Sequence, residues 1–351
     1  MQHTQTDLYD KGRNDENSLL LALSVAGISF LDFKQKKNLL KKLDSPYSLA
    51  LQFIEEIFKL AECEPKSRVV WNGQNNLRMA KACLQQCKRL GIKLLFHDDE
   101  DYPESLRQIS DPPFLLFVRG DPSLLKGRCV SVVGTRRLSQ AGREAAKSFA
   151  KDAVLDGCNV VSGLAAGADA CAHLGALDAF YEGGRGHTIA VLPSAIDDIV
   201  PYTNKRLAAA VLQSGGCLVS EYGPGSGTGK WQFIARNRIV AGLSEATVVI
   251  EAPTGSGALI TADFALEDGR DLFFHEVAFA GAASRISELV HADLEVEFAA
   301  GRISKYKMEN TPQKFLNSGA PVIKDYKDYC LALTEMPGLR SVAPLQGELF
   351  T

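Results

Sequence analysis

The sequence predicts an α/β fold: an extended Rossmann-like, doubly wound and mainly parallel sheet, preceded by a small N-terminal helical domain. Three observations predict it. From Cys129 to about residue 274, short runs of Val, Ile and Leu alternate with single amphipathic segments, the pattern of parallel strands buried on both faces and joined by helices. The runs are followed by turns rich in glycine and other small residues, at the strand ends where open α/β sheets bind their ligands. Ahead of them, residues 17–62 space their leucines as helices do.

With 351 residues, 46% hydrophobic and 23% charged, the chain has the make-up of an ordinary globular protein, with room for a main domain of about 200 residues and smaller units beside it. A net charge of −3 excludes a uniformly basic nucleic-acid binder, so any such surface must be a local patch. No basic-then-apolar leader opens the chain, and its apolar runs, such as 246–252, are too short to span a bilayer. The expectation is a cytoplasmic protein with no membrane contact. The eight cysteines include no C-x-x-C pair, which argues against a zinc ribbon or a redox motif and for small core residues. Neither a metal nor a cofactor is expected.

Residues 1–90 are expected to form the helical domain, with Leu19, Leu20 and Leu23, then Leu39, Leu40 and Leu43, then Ile54, Ile57 and Phe58 on helix faces, and with Gly27 and Ser45-Pro46 as breaks. Val25–Ser29, followed by Lys34, Lys36 and Lys37, has the form of a helix-hairpin-helix turn whose amides meet a phosphate. A second glycine is usual where Ser29 stands, and a plain bundle with a solvated basic face is the other reading. A helix over 75–90 then ends at Gly91 and opens the Rossmann-like domain, 91–300. In it, strand-like 92–96 and 114–118 flank an acidic turn, Tyr102-Pro103 and Pro112-Pro113. Strands follow at 129–133, 159–162, 188–192, 217–220, 246–251 and 271–274, with helices at 140–156, 168–181, 204–214, 231–242 and 257–267 between them. Residues 301–351, with Pro312, Pro321, Pro337 and Pro344 and no helix-turn-helix pattern, are expected as a short tail.

The loops after the strands carry the chemistry. Gly134-Thr135-Arg136 joins a strand end to a helix start, where a close backbone, free N–H groups and a guanidinium suit a phosphate. The turn lacks both G-x-G-x-x-G and G-x-x-x-x-G-K-[ST], so neither the dinucleotide fingerprint nor the ATPase loop is present, and a structural βα turn is the other reading. Ser162-Gly163 through Gly167 makes a second small turn beside it, leading into a helix in which His173 reads as a hydrogen-bonded packing residue. Between 205 and 238, Lys205, Arg206, Lys230, Arg236 and Arg238 face only Glu221, and Tyr202, Tyr222, Trp231 and Phe233 interleave with them. Cations with aromatic faces suit a single strand, whose phosphates need charge and whose unstacked bases need π surfaces. Buried aromatics with surface ion pairs are the alternative. Gly255-Ser256-Gly257 at a further helix start is either another anion nest or a close packing turn.

These motifs together resemble the DNA processing protein A (DprA/Smf) family. The resemblance rests on Val133-Gly134-Thr135-Arg136, on Ser162-Gly163-Leu164-Ala165-x-Gly167-x-Asp169-x-x-Ala172-His173, on Phe233-x-x-Arg236-Asn237-Arg238-Ile239-Val240-Ala241-Gly242, and on Glu251-Ala252 through Ser256-Gly257-Ala258-Leu259-x-Thr261-Ala262, and it runs from about Ile92 to Arg270. It implies a non-catalytic protein that binds single-stranded DNA without sequence preference, dimerises, and loads a RecA-type recombinase in natural transformation or repair. It also implies DNA contacts by Arg136, by Lys205, and by Phe233, Arg236, Asn237 and Arg238; the loop chemistry adds Gly134, Thr135, Ser162, Gly163, Gly167, Lys230, Gly255, Ser256 and Gly257 as expected contacts. Ile234 stands where the family has proline, and its Val-Pro-Gly turn is missing after Arg270. The alternative from the enzyme class is a nucleoside-monophosphate phosphoribohydrolase. That chemistry wants a carboxylate just after the Gly-rich turn, where only Asp263 comes near.

Overall fold

The computed structural model describes residues 15–335, which divide into two compact units: one of residues up to Gly127 together with Ile189–Ile239, the other of Arg128–Thr188 and Val240 onward. The strands among them are β1 (Lys93–Phe96), β2 (Leu115–Gly120), β3 (Cys129–Val133), β4 (Asn159–Ser162), β5 (Thr188–Val191), β6 (Cys217–Ser220), β7 (Ala246–Val249), β8 (Asp271–His275) and β9 (Val322–Ile323). The α/β architecture is the expected Rossmann-like one, and the strands from β3 to β8 fall within two residues of the expected bounds.

In the first unit β1 and β2 pair antiparallel, β2 and β6 antiparallel, and β5 and β6 parallel. In its helical N-terminal part, four of the five helix starts up to residue 90 are chemically marked, Ile54–Ala61 being the exception. Asp15 caps Glu16–Ala26, Asp32 and Gln35 form a capping box on Phe33–Lys41, Ser45 with Pro46 starts Pro46–Leu51, and Asn72 caps Gly73–Leu90. Leu21, Leu23, Ile28, Leu39, Ile57 and Phe58 fill the space between them. Of the three lysines in the expected phosphate-facing row, two are committed within the unit. Lys36 Nζ donates to the Ala26 carbonyl at 3.0 Å, and Lys37 pairs with Asp98 at 2.9 Å. The plain bundle therefore describes this part better than a phosphate-binding hairpin.

The second unit carries an all-parallel set, β4–β3–β7–β8–β9. Val130, Val132, Val160 and Val248 face helices Gln140–Leu155 and Ala168–Tyr181, which contribute Phe149, Ala172, Ala176 and Ala179 to one core. His173 is fully buried, its Nδ1 2.7 Å from the Thr188 hydroxyl, which in turn donates to the Val160 carbonyl; it packs, as expected. All eight cysteines are free thiols, and Cys87, Cys129, Cys158 and Cys217 are core residues. Burial pushes the Cys129 and Cys158 thiols up to about 12.

Residues 301–335 are not a loose tail. Pro312 starts helix Pro312–Asn317, the Pro321 carbonyl accepts from Phe274 N at 3.0 Å, and β9 extends the parallel set beside β8. Helix Tyr326–Glu335 then sets Tyr326 and Tyr329 against Phe149, with Tyr329 also against Phe273. Tyr326 OH donates to Asp156 at 2.9 Å and Tyr329 OH to Glu245 at 3.1 Å. Sequence alone hides this because Tyr326 and Tyr329 lie in a charged segment and find their partners 56 to 180 residues away in sequence. Pro337 and Pro344 lie outside the described residues. Removing the fully buried Tyr329 ring is expected to cost about 3–5 kcal/mol. Urea unfolding of Tyr329→Ala measures it, and a loss under about 1 kcal/mol would mean that this helix is not part of the core.

Candidate nucleic-acid interface

Three of the expected loops lie at the carboxyl ends of β3, β4 and β7, all in the second unit. The first is fastened by one buried residue, Glu251. Its carbonyl accepts from Thr135 N at 2.6 Å, one carboxylate oxygen from Ser139 N at 3.0 Å, and the other from the Ser139 hydroxyl. Gln140–Leu155, with Ser139 as its N-cap, thus has a carboxylate at its positive end. Both ends of the 134–139 loop are pinned, and Arg136 and Arg137 are left exposed between them. In the sequence Glu251 stands out only as part of a motif. Its role comes from parallel pairing of β3 with β7, which sets it beside a loop more than a hundred residues earlier.

The second loop rests on the first. Ala168 N donates to the Thr135 carbonyl at 3.2 Å, and Gly167, at φ 84°, passes so close that an added Cβ would lie 2.7 Å from Arg136 Cα. Asp169 accepts from Gly163 N at 3.1 Å and Ala165 N at 3.3 Å, while the Ser162 hydroxyl donates to the Val132 carbonyl at 2.6 Å. Ser162 and Gly163, expected to face an anion, are buried and spend these donors on holding the loop. The third loop departs further from a nest. Gly255 N donates to the Asn310 carbonyl at 2.8 Å and Ser256 N to the Pro253 carbonyl at 3.1 Å, so segment 307–310 covers the turn; Gly257 is exposed at the helix start. Nothing near Gly255 in sequence signals this cover, because Asn310 comes from the segment read as a tail.

The first unit holds the expected basic and aromatic residues, and it sorts them. Lys205 and Arg206 are exposed at the start of Lys205–Gln213, with Lys205 Nζ 5.4 Å from the centre of the exposed Tyr202 ring. Lys230 opens Lys230–Ala235 next to Trp231, which is 64% exposed and sits edge-on to Tyr222 at 6.0 Å; Phe233 is half-buried. The single helix expected over 231–242 breaks at Arg236, and the break turns Arg236, Asn237 and Arg238 inward. Arg236 donates to the Val191 carbonyl and, at 3.3 Å, to Asn237 Oδ1.

Arg238, 7% exposed, makes a two-pronged pair with Glu221 at 2.9 and 3.0 Å, meets the Asp111 carboxylate at 2.9 Å, and donates to the Ala235 carbonyl at 2.9 Å. The acid excess around it raises its pKa against the effect of burial. The expectation that Arg238 offers its fork to a phosphate is therefore corrected: Glu221, read from sequence as a lone charged opponent, already occupies that fork. Of the expected basic and aromatic residues, Lys205 and Arg206 stay exposed with Tyr202, and Lys230 with its sequence neighbour Trp231.

Asp263, the carboxylate that a phosphoribohydrolase would need, is engaged on both oxygens. Tyr306 OH and Asn310 Nδ2 donate to one at 2.6 and 2.9 Å, and Lys314 Nζ to the other at 3.1 Å. It ties helix Gly257–Glu267 to the 305–317 segment.

Residues 93–330 match the family described as DNA recombination-mediator protein A. The chain is 31% identical over 267 residues to a protein named Smf from Borreliella burgdorferi, covering 74% of this chain and 80% of that one. It is 45% identical over 179 residues to DNA processing protein DprA from Streptococcus pneumoniae, half of this chain and 60% of that protein's length. Among solved structures, DprA from Streptococcus pneumoniae superposes with a TM-score of 0.61 at 27% identity, over 94% of this chain and 98% of that one. DprA from Helicobacter pylori, whose structure is reported for its single-stranded DNA binding mode, gives a TM-score of 0.53 at 24% identity over 70% and 96%.

Proposed function

The chain belongs to the DNA recombination-mediator protein A family, and from that membership we propose that it binds single-stranded DNA without sequence preference. In this reading it acts in the cytoplasm as a homodimer without catalysis of its own, protects incoming or processed strands, and hands them to a RecA-type recombinase in transformation or recombination. The observation that carries it is the exposure of cations with aromatic rings: Lys205, its ammonium 5.4 Å from the centre of the Tyr202 ring, and Lys230, next in sequence to the exposed Trp231. That combination serves phosphates and unstacked bases at once, whereas reading a duplex calls for a helix or strand fitted to a groove. The single-strand binding reported for the Helicobacter pylori relative supports it.

The contacts divide by exposure. Thr135 and Arg136, with the Gly134 and Gly167 backbone beneath them and Gly257 at its helix start, take phosphates on the second unit. Lys205 and Lys230 take them on the first, and Phe233 stacks on or wedges beside a base. Ser162, Gly163, Gly255, Ser256, Arg236, Asn237 and Arg238 serve as the frame that fixes these groups. The enzyme reading is disfavoured by Asp263, whose carboxylate is held by three side chains.

Fluorescence anisotropy of labelled oligothymidine, competed with the matching duplex, tests this. Arg136→Ala is expected to weaken binding to all sequences alike and to flatten the salt slope by about 0.7 per lost phosphate contact. An unchanged slope with unchanged affinity removes Arg136 from the interface, and no binding even at low salt removes the reading.

A further inference from the structure

We propose that the outer face of helix Gly73–Leu90 in the first unit, with Tyr47 beside it, is a second surface for single-stranded DNA, separate from the contacts proposed above. The helix carries Arg78, Lys81, Lys88 and Arg89 and no acidic residue. Exposed helix faces ordinarily mix both signs, as Gly281–Ala299 does with His291 3.6 Å from Glu295. The one ion pair that Gly73–Leu90 makes among the described residues is Lys88 with Glu16 at 2.7 Å. Arg78 and Lys81 meet no carboxylate there, and Arg78 donates only to Asn75, at 2.6 Å. Residues 15–90 hold twelve Lys and Arg against eight Asp and Glu, a net +4 in a chain whose net charge is −3. A local excess of this kind is the footprint of a nucleic-acid surface on a protein without an overall basic balance.

Gln74, Arg78, Lys81, Gln85 and Lys88 follow at steps of four, three, four and three and are all exposed, so they form one row about 21 Å long. Cys83 stands two residues from both Lys81 and Gln85, about 200° round the helix, and faces the other way. A Cβ on Gly223 would lie 2.9 Å from its sulfur. The row is therefore turned away from the loop that leads to Lys230, and the two basic surfaces are distinct. It is also distinct from the hairpin lysines, of which Lys36 and Lys37 are committed within the unit. Helix Pro46–Leu51 is fastened across the start of Gly73–Leu90, where a Cβ on Gly73 would come 2.8 Å from Ala50 Cα. It presents Tyr47, 50% exposed, with Lys81 Nζ 4.8 Å from the centre of the ring. Leu51, four residues on and on the same helix face, is 73% exposed, and Phe53 is 77% exposed. A lysine on an exposed tyrosine ring repeats the arrangement of Lys205 and Tyr202. Such a pair offers a cation to a phosphate and a ring to an unstacked base, whereas a duplex would use the cations and leave the ring idle.

The inference rests on the single-strand reading proposed above and extends its footprint: a long strand engages both surfaces, a short one only the first. Anisotropy of the full chain with labelled oligothymidines of about 10 and about 60 nucleotides tests it. Arg78→Ala with Lys81→Ala is expected to weaken binding of the long oligomer about tenfold or more at an unchanged melting temperature. Its salt slope is expected to flatten by about 1.4, two phosphate contacts at about 0.7 each, while affinity for the short oligomer stays within about twofold of wild type. Tyr47→Ala is expected to weaken the long oligomer about fivefold or more without changing the slope, and Tyr47→Phe to leave it within about twofold, since stacking needs the ring and not the hydroxyl. If Tyr47→Ala melts lower, the exposed pair Arg78 and Lys81 still decides, because neither belongs to the core. Failure of the wild-type chain to bind either length at low salt overturns the single-strand reading and this surface with it. Binding that none of the variants changes overturns this surface alone and leaves the reading standing. Equal weakening at both lengths shows the row to act through the field around the first site, and overturns it as a second one. A long duplex that loses as much affinity as the single strand on removal of the two cations, with Tyr47→Ala without effect, assigns the row to duplex DNA and overturns the single-strand inference.

Discussion

Gly167→Ala is expected to destabilise the protein by about 2–5 kcal/mol and to weaken oligothymidine binding at least about tenfold. Two costs combine. At φ 84° an L side chain is strained, by about 1–2 kcal/mol. The new methyl group would also lie 2.7 Å from Arg136 Cα and closer still to the Thr135 carbonyl oxygen, an overpacking worth about 1–3 kcal/mol. Because the atoms in the way are backbone, no rotamer change relieves the clash, and the loop bearing Arg136 must move. Gly183→Ala is the matched control. Its φ of 90° carries the same strain, but nothing lies within 4 Å of its added Cβ, so only about 1–2 kcal/mol and no change in DNA affinity are expected. Urea unfolding and anisotropy on both variants decide the matter. Equal effects of the two would mean that the stacking of the 162–169 turn on the 134–136 turn has no part in stability or binding.

That stacking could be sensed but not seen in the sequence. The run of small residues at 162–169 pointed to a backbone floor beside the 134–136 turn, since strand order in a doubly wound sheet brings successive βα turns together. The alternation of strands and helices from 129 to 274 was legible almost to the residue, because each strand is a short apolar run and turns of glycine and other small or polar residues separate it from the next helix. Long-range partners were not. Glu251 fastening Ser139, Asn310 covering Gly255, and Tyr326 meeting Asp156 all join residues more than fifty apart, and no local pattern records such pairs. The basic segment 230–238 shows the same limit at short range. Arg236 and Arg238 look alike on paper, and only their distant partners, the Val191 carbonyl for the one and Glu221 with Asp111 for the other, turn both charges inward.

Glu221→Ala is accordingly expected to cost about 3–5 kcal/mol, the loss seen when one partner of a buried ion pair is removed. The Arg238 guanidinium would keep only Asp111, whose side chain is 67% exposed and so a weak counter-charge. Lys36 would suffer as well. Burial already pushes its ammonium below the ordinary lysine range, and Glu221 is the largest influence pushing it back. A lysine whose folded pKa is depressed binds fewer protons folded than unfolded, so stability rises with pH from the depressed value up to the ordinary one, about 10.4. Without Glu221 the depression deepens. The gap in stability between Glu221→Ala and wild type is therefore expected to narrow as pH is raised from 7 toward 10. Replacing the pair together, as Glu221→Leu with Arg238→Met, is expected to cost less than Glu221→Ala alone, since no charge is then left buried without its partner. Urea unfolding of the two variants and wild type at several pH values measures all of this. If the double replacement proves as damaging as the single one, the pair is needed for more than charge balance, and the bonds of Arg238 to the Asp111 and Ala235 carbonyls carry the difference.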